Sequence, residues 1–302
     1  MILLFDYHSN HYTFNYMITL HKDNNYIISN DFNHNIFFKA KVIIPISIEA
    51  GIKLFELGYI FHFIRKKCLV VPKNLYYTLD NKILFYKMIN DNNLLKETNV
   101  KLITCYDNNY INSNKKNIKK SFLLKHKLRA GTTGNFIKND YIYNIINKFS
   151  LNYQIQDIID IKYISGYNIV CNYGKIINTL NFITPHSIES TYYFNNNKQY
   201  LYPINEEQYK VVENIVKYTK YSGFAEIEFI IDKNDNYYLL ECNPRISGNL
   251  MCMISDSFSF NKNNICPYYE DLILAYINSI LNIKKEYKKY EKIINLIYYG
   301  NI

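Results

Sequence analysis

Acidic and amide side chains are concentrated in residues 223–248, which read GFAEIEFIIDKNDNYYLLECNPRISG. Two strand-like apolar runs flank a polar tetrapeptide at 233–236, and this pattern predicts a β-hairpin closed by Asp232 and Tyr237. Side chains two residues apart on a strand share one face of the sheet. The four oxygen-bearing side chains that would then share a face are Glu226, Glu228, Glu241 and Asn243.

The predicted register places Glu228 opposite Glu241. It also places Glu226 opposite Asn243 on the same face. Opposed residues have Cβ atoms roughly 4.5–5.5 Å apart, and acids this close repel each other unless a cation lies among them. Ligands that are all oxygens suit Mg²⁺ or Mn²⁺ rather than zinc. The alternative is a hairpin with a solvated acidic face, but Arg245 in the following NPRISG segment favours a site.

The composition describes a folded globular protein. The chain has 302 residues, 48% hydrophobic and 20% charged, and is long enough for two domains. Its formal charge of +9, with basic residues clustered at 115–129, leaves nucleic-acid binding open as an alternative.

The six cysteines include no CxxC pair, which argues against zinc and thiol redox chemistry. We find no signal-peptide pattern and no membrane-length apolar run, and therefore expect a cytoplasmic protein with no membrane partner.

The elements that must position the hairpin alternate between strand and helix character. Residues 41–46 and 68–72 are predicted to be strands on either side of a helix at 47–64, which implies a parallel sheet. A helix follows at 80–95 and a strand at 100–107, whereas 1–37 carries only weak strand signals.

The second half of the chain predicts more antiparallel structure. A strand ends at Lys125 before a Gly-rich loop, and 153–164 is rich in strand signals. Residues 167–183 predict a hairpin that turns at 172–174, and 205–221 predicts an amphipathic helix. The tail at 270–297 is predicted to be helical.

This order of parts resembles the ATP-grasp superfamily, in the branch of carbamoyl-phosphate synthetase large subunits and biotin carboxylases. The resemblance covers about residues 40–250 and is strongest at 223–248, where LLECNPR matches the pattern of the superfamily. It implies three magnesium ligands, which are Glu228, Glu241 and Asn243. It also implies that Arg245 contacts the phosphate during transfer. Glu226 would then support the ligands without binding the metal itself.

The resemblance also implies a nucleotide site. Lys125, at the end of its strand, and Lys82, at the start of its helix, would contact the phosphates of ATP. The flexible loop over the phosphates would consist of Gly131, Thr132, Thr133 and Gly134. The adenine would lie against the segment between two lobes, which consists of Gln156, Asp157, Ile158 and Ile159.

One position departs from the pattern of the superfamily. A Glu that contacts the ribose is usual shortly after the adenine segment, but this chain has Asp160, Lys162 and Tyr163 there. This difference leaves the ribose contact unassigned. It also leaves open a second interpretation, in which the chain is a catalytically impaired ATP-binding protein that keeps the fold.

The resemblance implies an α/β (α+β) fold class, with an ATP-grasp domain after an N-terminal parallel α/β (pre-ATP-grasp) domain. We place these domains at 107–302 and 1–106, with a small lobe at about 107–160 and a large lobe at about 161–302. The implied activity is an ATP- and Mg²⁺-dependent ligation that activates a carboxylate as an acyl phosphate for attack by an amine. The expected partners are small carboxylates and amines rather than nucleic acid, with a homodimer left open.

Overall fold

The computed structural model describes residues 1–7, 26–106, 122–126, 135–137, 153–185, 199–247, 262–287 and 294–296. Within these ranges the strands form three sheets of three, seven and four strands. The mixture of helices and sheets confirms the predicted α/β class. None of the helices in the described ranges is long and apolar enough to cross a membrane.

The first sheet is parallel, as predicted. It consists of β1 (Ile2–Phe5), β2 (Tyr26–Ser29) and β3 (Val42–Pro45) in the order β2-β1-β3. Two of its strands therefore come from the region with only weak strand signals. Helix α1 (His34–Lys39) lies between β2 and β3 in the chain. Helices α2 (Ile48–Ile60) and α3 (His62–Arg65) follow β3.

Two predictions in this region are wrong. The helix expected at 47–64 is interrupted at Phe61, whose φ of −119° and ψ of 88° are not helical. Residues 68–72 are not a strand. The hydroxyl of Tyr276 accepts a hydrogen bond from the Leu69 N–H at 2.8 Å and lies 3.1 Å from the Ile43 carbonyl oxygen. A side chain therefore contacts the groups that a neighbouring strand would use.

The large sheet contains the predicted hairpins. Its order is β14-β11-β10-β9-β12-β13-β4, antiparallel except where β13 and β4 pair in parallel. The strands are β4 (Val100–Leu102), β9 (Ile161–Asn172), β10 (Lys175–Pro185), β11 (Gln199–Leu201), β12 (Gly223–Asp232), β13 (Tyr237–Asn243) and β14 (Ile294–Leu296). Tyr173 and Gly174 have φ of 48° and 80° at the predicted turn between β9 and β10, which suits a two-residue hairpin loop.

The small sheet is antiparallel and has the order β5-β8-β6-β7. Its strands are β5 (Cys105–Tyr106), β6 (Phe122–His126), β7 (Asn135–Ile137) and β8 (Tyr153–Asp157). Residues 158–160 lead directly from β8 into β9 of the large sheet. The segment predicted to join two lobes therefore does connect two separate sheets.

Helices cover both faces of the large sheet. One core packs α4 (Lys73–Asp80), α5 (Lys82–Asp91) and α6 (Glu206–Thr219) against one face. A second core packs α7 (Lys262–Ile280) and β3 against residues of the other face, which include Phe182 and Phe224. The Asn205 side chain accepts a hydrogen bond from the Gln208 N–H, which caps α6 near the predicted helix start.

The tail differs from its prediction. Helix α7 ends at Ile280, where Asn282 adopts a φ of 56° and the Ile283 N–H donates to the Asn278 carbonyl at 2.8 Å. This left-handed termination ends the helix, and β14 then pairs with β11 and forms the edge of the large sheet. Continuous helix to residue 297 is therefore wrong. The domain boundary at 106 stays a prediction, and β4, which precedes it, pairs with β13 of the large sheet.

Candidate active site

The acidic hairpin has the predicted register at the site and a different one at the turn. Glu228 lies opposite Glu241, and Glu226 lies opposite Asn243. A bulge then shifts the pairing, so that Tyr237 lies opposite Ile231 instead of Asp232. One extra residue on β13 therefore separates the site from the turn.

Asp232 closes the turn against Asn236 instead of Tyr237, with its N–H donating to the Asn236 carbonyl at 3.0 Å. The Asp232 carboxylate also organises the turn. Its Oδ1 accepts hydrogen bonds from the backbone N–H groups of Asn234 and Asn236, both at 2.8 Å. Carboxylates commonly bond nearby backbone N–H groups in this way and stabilise turns.

Strand β9 completes the floor of the site with residues that the sequence did not indicate. Asn168 lies opposite Glu226, and Gly166 lies opposite Glu228. A Cβ atom at position 166 would lie 3.3 Å from Oε1 of Glu226. Glycine therefore leaves space into which the Glu226 carboxylate extends. Its role is visible only once β9 is known to pair with β12.

The oxygen-bearing side chains form a compact, mostly buried cluster. Glu226, Glu241 and Asn243 are 4%, 8% and 6% exposed, and Glu228 is half-buried. The amide nitrogen of Asn243 lies 3.5 Å from Oε2 of Glu226 and 3.4 Å from Oε1 of Glu241. Oε1 of Glu226 is buried and has no hydrogen-bond partner in the described part of the chain.

A lysine supplies the cation that such a cluster requires. Nζ of Lys82 lies 2.8 Å from Oε2 of Glu241, and both side chains are largely buried. Helix α5 positions Lys82 at its first residue, because the Asn81 side chain accepts the N–H groups of Ile83 and Leu84. The Tyr86 hydroxyl then donates to the Leu239 carbonyl at 2.8 Å, which fixes α5 against β13.

The electrostatics of the cluster favour added positive charge. Burial raises the pKa of Glu226 to about 7, Arg245 opposes this shift and Glu241 adds to it. Burial also raises the pKa of Asp80 to about 6, although Lys82 and Arg245 oppose the shift. In the described residues, no group of three or more Asp, Glu, His or Cys side chains is arranged to hold a metal ion.

Arg245 lies beside the cluster at the end of β13. Its N–H donates to the Asn243 carbonyl at 2.8 Å, and its guanidinium donates to the Ile246 carbonyl at 3.1 Å. It is half-buried. The structure thus brings together Lys82, Arg245 and the three predicted metal ligands, although each of these ligands is more than 140 positions from Lys82 along the chain.

The predicted adenine segment begins inside the small sheet. Gln156 is 3% exposed and pairs with both β5 and β6. The Asp157 N–H donates to the Thr104 carbonyl at 3.0 Å, and its carboxylate accepts from the Tyr106 hydroxyl at 2.9 Å. Ile158 and Ile159 lie where the chain passes between the sheets.

The residues at the predicted ribose position contact the hairpin turn. Asp160 lies 2.8 Å from Lys233, and Lys162 lies 2.8 Å from Asp235, in two exposed ion pairs. Lys125 lies in β6, where its register partner is Gln154. The loop 131–134 and the basic residues 115–120, 127 and 129 lie outside the described residues.

Comparison with known proteins gives a fold but no close relative. No family model matches the chain. A stretch of 171 residues is 29% identical to the DNA-directed RNA polymerase subunit beta'' of Plasmodium falciparum (isolate 3D7), and it covers 49% of this chain and 17% of that protein. The chain has 32 Tyr residues and abundant Asn, Ile and Lys, and such a bias raises chance identity. This match therefore carries no functional argument.

Solved structures are similar over almost the whole chain. The N5-carboxyaminoimidazole synthetase of Staphylococcus aureus, complexed with ADP, is 13% identical with a TM-score of 0.55, and the match covers 91% of this chain and 76% of that one. The L-amino acid ligase of Bacillus licheniformis is 11% identical with a TM-score of 0.54 and coverages of 91% and 74%. The RiPP-associated ATP-grasp ligase of Chryseobacterium gregarium is 10% identical with a TM-score of 0.58 and coverages of 94% and 97%.

These similarities agree with the resemblance found in the sequence at the level of the fold. The chain has the fold of these ligases, one of which is an ATP-grasp ligase. At identities of 10% to 13%, the match describes architecture, and the activity must be argued from the site itself.

Proposed function

We propose that this protein is an ATP- and Mg²⁺-dependent ligase that activates a carboxylate as an acyl phosphate for attack by an amine. The observation that carries the proposal is the buried cluster of Glu226, Glu241 and Asn243 beside Lys82 and Arg245, on one sheet face of an ATP-grasp fold. Burial of several acids costs free energy unless cations compensate it. Such a cost is expected where a site binds a metal and a polyphosphate.

The donor set fits Mg²⁺ or Mn²⁺. The proposed ligands are Glu228, Glu241 and Asn243, which offer only oxygen donors. The Asn243 amide nitrogen lies 3.4 Å from Oε1 of Glu241, so exchange of its amide oxygen and nitrogen would turn an oxygen donor towards Glu241. The buried Oε1 of Glu226 has no partner in the described ranges. When bound, the metal would neutralise charge on the phosphate oxygens of ATP.

The cationic side chains would divide the phosphate contacts. Lys82 and Lys125 would bind phosphate oxygens, which requires Lys82 to move from Glu241. Arg245 would bind the transferring group, because a planar guanidinium can donate two parallel hydrogen bonds. The loop formed by Gly131, Thr132, Thr133 and Gly134 would exclude water, since water hydrolyses an acyl phosphate.

The adenine would bind between the two sheets. Gln156 and Asp157 already use hydrogen bonds within the small sheet. The backbone of Ile158 and Ile159 is therefore the part of the predicted segment that we assign to the adenine edge. The substrate class stays at small carboxylates and amines, in keeping with the resemblance found in the sequence.

The direct test measures ADP release with Mg·ATP over a panel of carboxylates paired with amines. We expect Glu241→Gln to lower turnover about 100-fold or more, because a positioned charge in a buried site is replaced by a neutral amide. The matched control is Glu213→Gln, the same change at an exposed position of α6. Full turnover in Glu241→Gln, or equal losses in both variants, would contradict the proposed roles.

A second candidate function is ATP binding without efficient turnover. Two observations favour it, namely the missing ribose acid and the pairing of Asp160 and Lys162 with the hairpin turn. It predicts Mg²⁺-dependent ATP binding with no ADP release for any substrate pair. Measurement of both quantities on the same sample distinguishes the two candidates.

A further inference from the structure

A cavity lies on the opposite face of the large sheet from the acidic cluster. Its volume is about 510 Å³, and residues of β9, β10 and the first turn of α6 line it. Asn181 pairs with Tyr167, whereas Asn168, the next residue on β9, pairs with Glu226. Because side chains alternate along a strand, the cavity and the cluster use opposite faces. The volume is typical of a small-molecule site.

A buried hydrogen-bond network lies behind the wall of the cavity. Of its residues, Asn181, Asn205 and Gln208 line the cavity. The amide nitrogen of Asn181 donates to the Pro203 carbonyl at 3.2 Å, so its oxygen is the acceptor for the Ser165 hydroxyl at 2.9 Å. The Tyr167 hydroxyl accepts from the Asn205 N–H at 3.1 Å. Ser165, Asn181 and Tyr167 are all fully buried. The network therefore has fixed donors and acceptors.

Gln208 is the member of this network whose hydrogen bonding is incomplete. It is 1% exposed, and one end of its amide lies 3.3 Å from Ser165 Oγ and 3.2 Å from the Tyr167 hydroxyl. The other end has no hydrogen-bond partner in the described ranges. Exchange of the amide oxygen and nitrogen leaves one end without a partner in either orientation. A buried polar group in this state calls for a ligand or another explanation.

The lining indicates the chemistry of that ligand. The charged residues Lys162 and Asp235 are exposed and pair with each other at 2.8 Å, so they leave no net charge for a ligand. The remaining uncharged lining residues carry phenol, aliphatic or carboxamide groups, and they are Tyr163, Ile183, Tyr202, Asn205, Ile231 and Tyr237. Such a lining suits a neutral molecule with an apolar face and several hydroxyl groups. A hydroxyl also satisfies either orientation of Gln208, because it both donates and accepts.

We propose that this cavity binds a neutral sugar and that Gln208 contacts one of its hydroxyl groups. The proposal is independent of the proposed ligase activity, because the residues of the acidic cluster do not line the cavity.

The test uses saturation-transfer difference NMR on the full chain with a panel of neutral mono- and disaccharides. We expect at least one sugar to give signals that Gln208→Leu abolishes. The matched control is Glu213→Gln, an exposed position on the same helix, which should keep the signals. We expect the Tm of Gln208→Leu to stay close to that of the wild type. The substitution removes an amide end without a partner, and the Ser165 and Tyr167 hydroxyls keep other acceptors.

Three results would overturn the proposal. One is the absence of signals for every sugar in the panel, and another is a Tm several degrees lower for Gln208→Leu, which would make Gln208 a structural residue. The third is displacement of the sugar by Mg·ATP, which would place both ligands in one site. The Glu241→Gln variant should bind the sugar normally even if the ligase proposal fails, so the two failures are distinguishable.

Discussion

Nζ of Lys82 and Oε2 of Glu241 are 2.8 Å apart and largely buried, although 158 residues separate them along the chain. Glu241 also contacts Asn243, so a proposed phosphate-binding cation lies within a proposed metal site. In the chain without nucleotide, Lys82 therefore neutralises part of the charge that a metal would neutralise. Metal binding should then release Lys82 towards the phosphates.

This ion pair predicts non-additive stabilities. We expect Lys82→Met to lower the free energy of unfolding by about 3 kcal/mol, because it leaves the Glu241 carboxylate buried with less compensation. Adding Glu241→Gln should recover much of that loss, and urea unfolding of both single variants and the double variant measures the coupling. Losses that simply add would show that the pair contributes no coupling energy.

Gly166 provides a test of the space beneath Glu226. A Cβ at this position would lie 3.3 Å from Oε1 of Glu226, so Gly166→Ala should move the carboxylate. We expect the free energy of unfolding to change by no more than about 1 kcal/mol, since alanine suits a strand but the contact is tight. ADP release should nevertheless fall about 10-fold, as expected when a residue that supports metal ligands moves. Unchanged turnover in Gly166→Ala would argue against a role for Glu226 in supporting the metal ligands.

Asp80 predicts a pH dependence of stability. Its pKa is raised from 3.8 to about 6 by burial, so the folded state holds a proton that the unfolded state releases. The wild type should therefore lose stability relative to Asp80→Asn as the pH rises from about 4 to 6, with no further change above that. We expect a difference of about 1–2 kcal/mol at pH 7.5, less than the full shift because the group is partly exposed.

Urea unfolding of both proteins at pH 4 and pH 7.5 measures this effect. A difference that is constant with pH would contradict the raised pKa.

The hydrogen bonds of the Tyr276 hydroxyl predict a loss of stability when that hydroxyl is removed. Its hydroxyl lies 2.8 Å from the Leu69 nitrogen and 3.1 Å from the Ile43 carbonyl oxygen. We expect Tyr276→Phe to lower the free energy of unfolding by about 1–3 kcal/mol, because a half-buried N–H loses its partner. The control is Tyr59→Phe at an exposed position. An equally small effect of both variants in thermal unfolding would exclude this role.

The site was more predictable than some of the elements around it. The hairpin register at Glu228 and Glu241 follows from alternation along two strands, which is a local pattern. The bulge beyond this point depends on how β13 packs between its neighbours β12 and β4. Alternation within a single strand carries no information about that packing. The register at the turn was therefore wrong by one residue, while the register at Glu228 and Glu241 was correct.

The contacts that could not be predicted join distant parts of the chain. Tyr276 lies 207 residues from Leu69. Its hydroxyl replaces the strand pairing that the apolar run at 68–72 predicted. Gly166 and Asn168 entered the site only through the pairing of β9 with β12. Lys82 was assigned to phosphates because of its place in the order of parts, and its contact with Glu241 required the fold.

The central claim is that the acidic cluster binds ATP through a divalent metal. Isothermal titration of ATP into the wild type and into Glu241→Gln, with Mg²⁺ and with EDTA, tests it most directly. We predict that Mg²⁺ tightens ATP binding to the wild type at least about 10-fold, and that Glu241→Gln loses this gain but keeps the metal-free affinity. Equal affinities with and without Mg²⁺ in the wild type, or a full Mg²⁺ effect in Glu241→Gln, would contradict the claim.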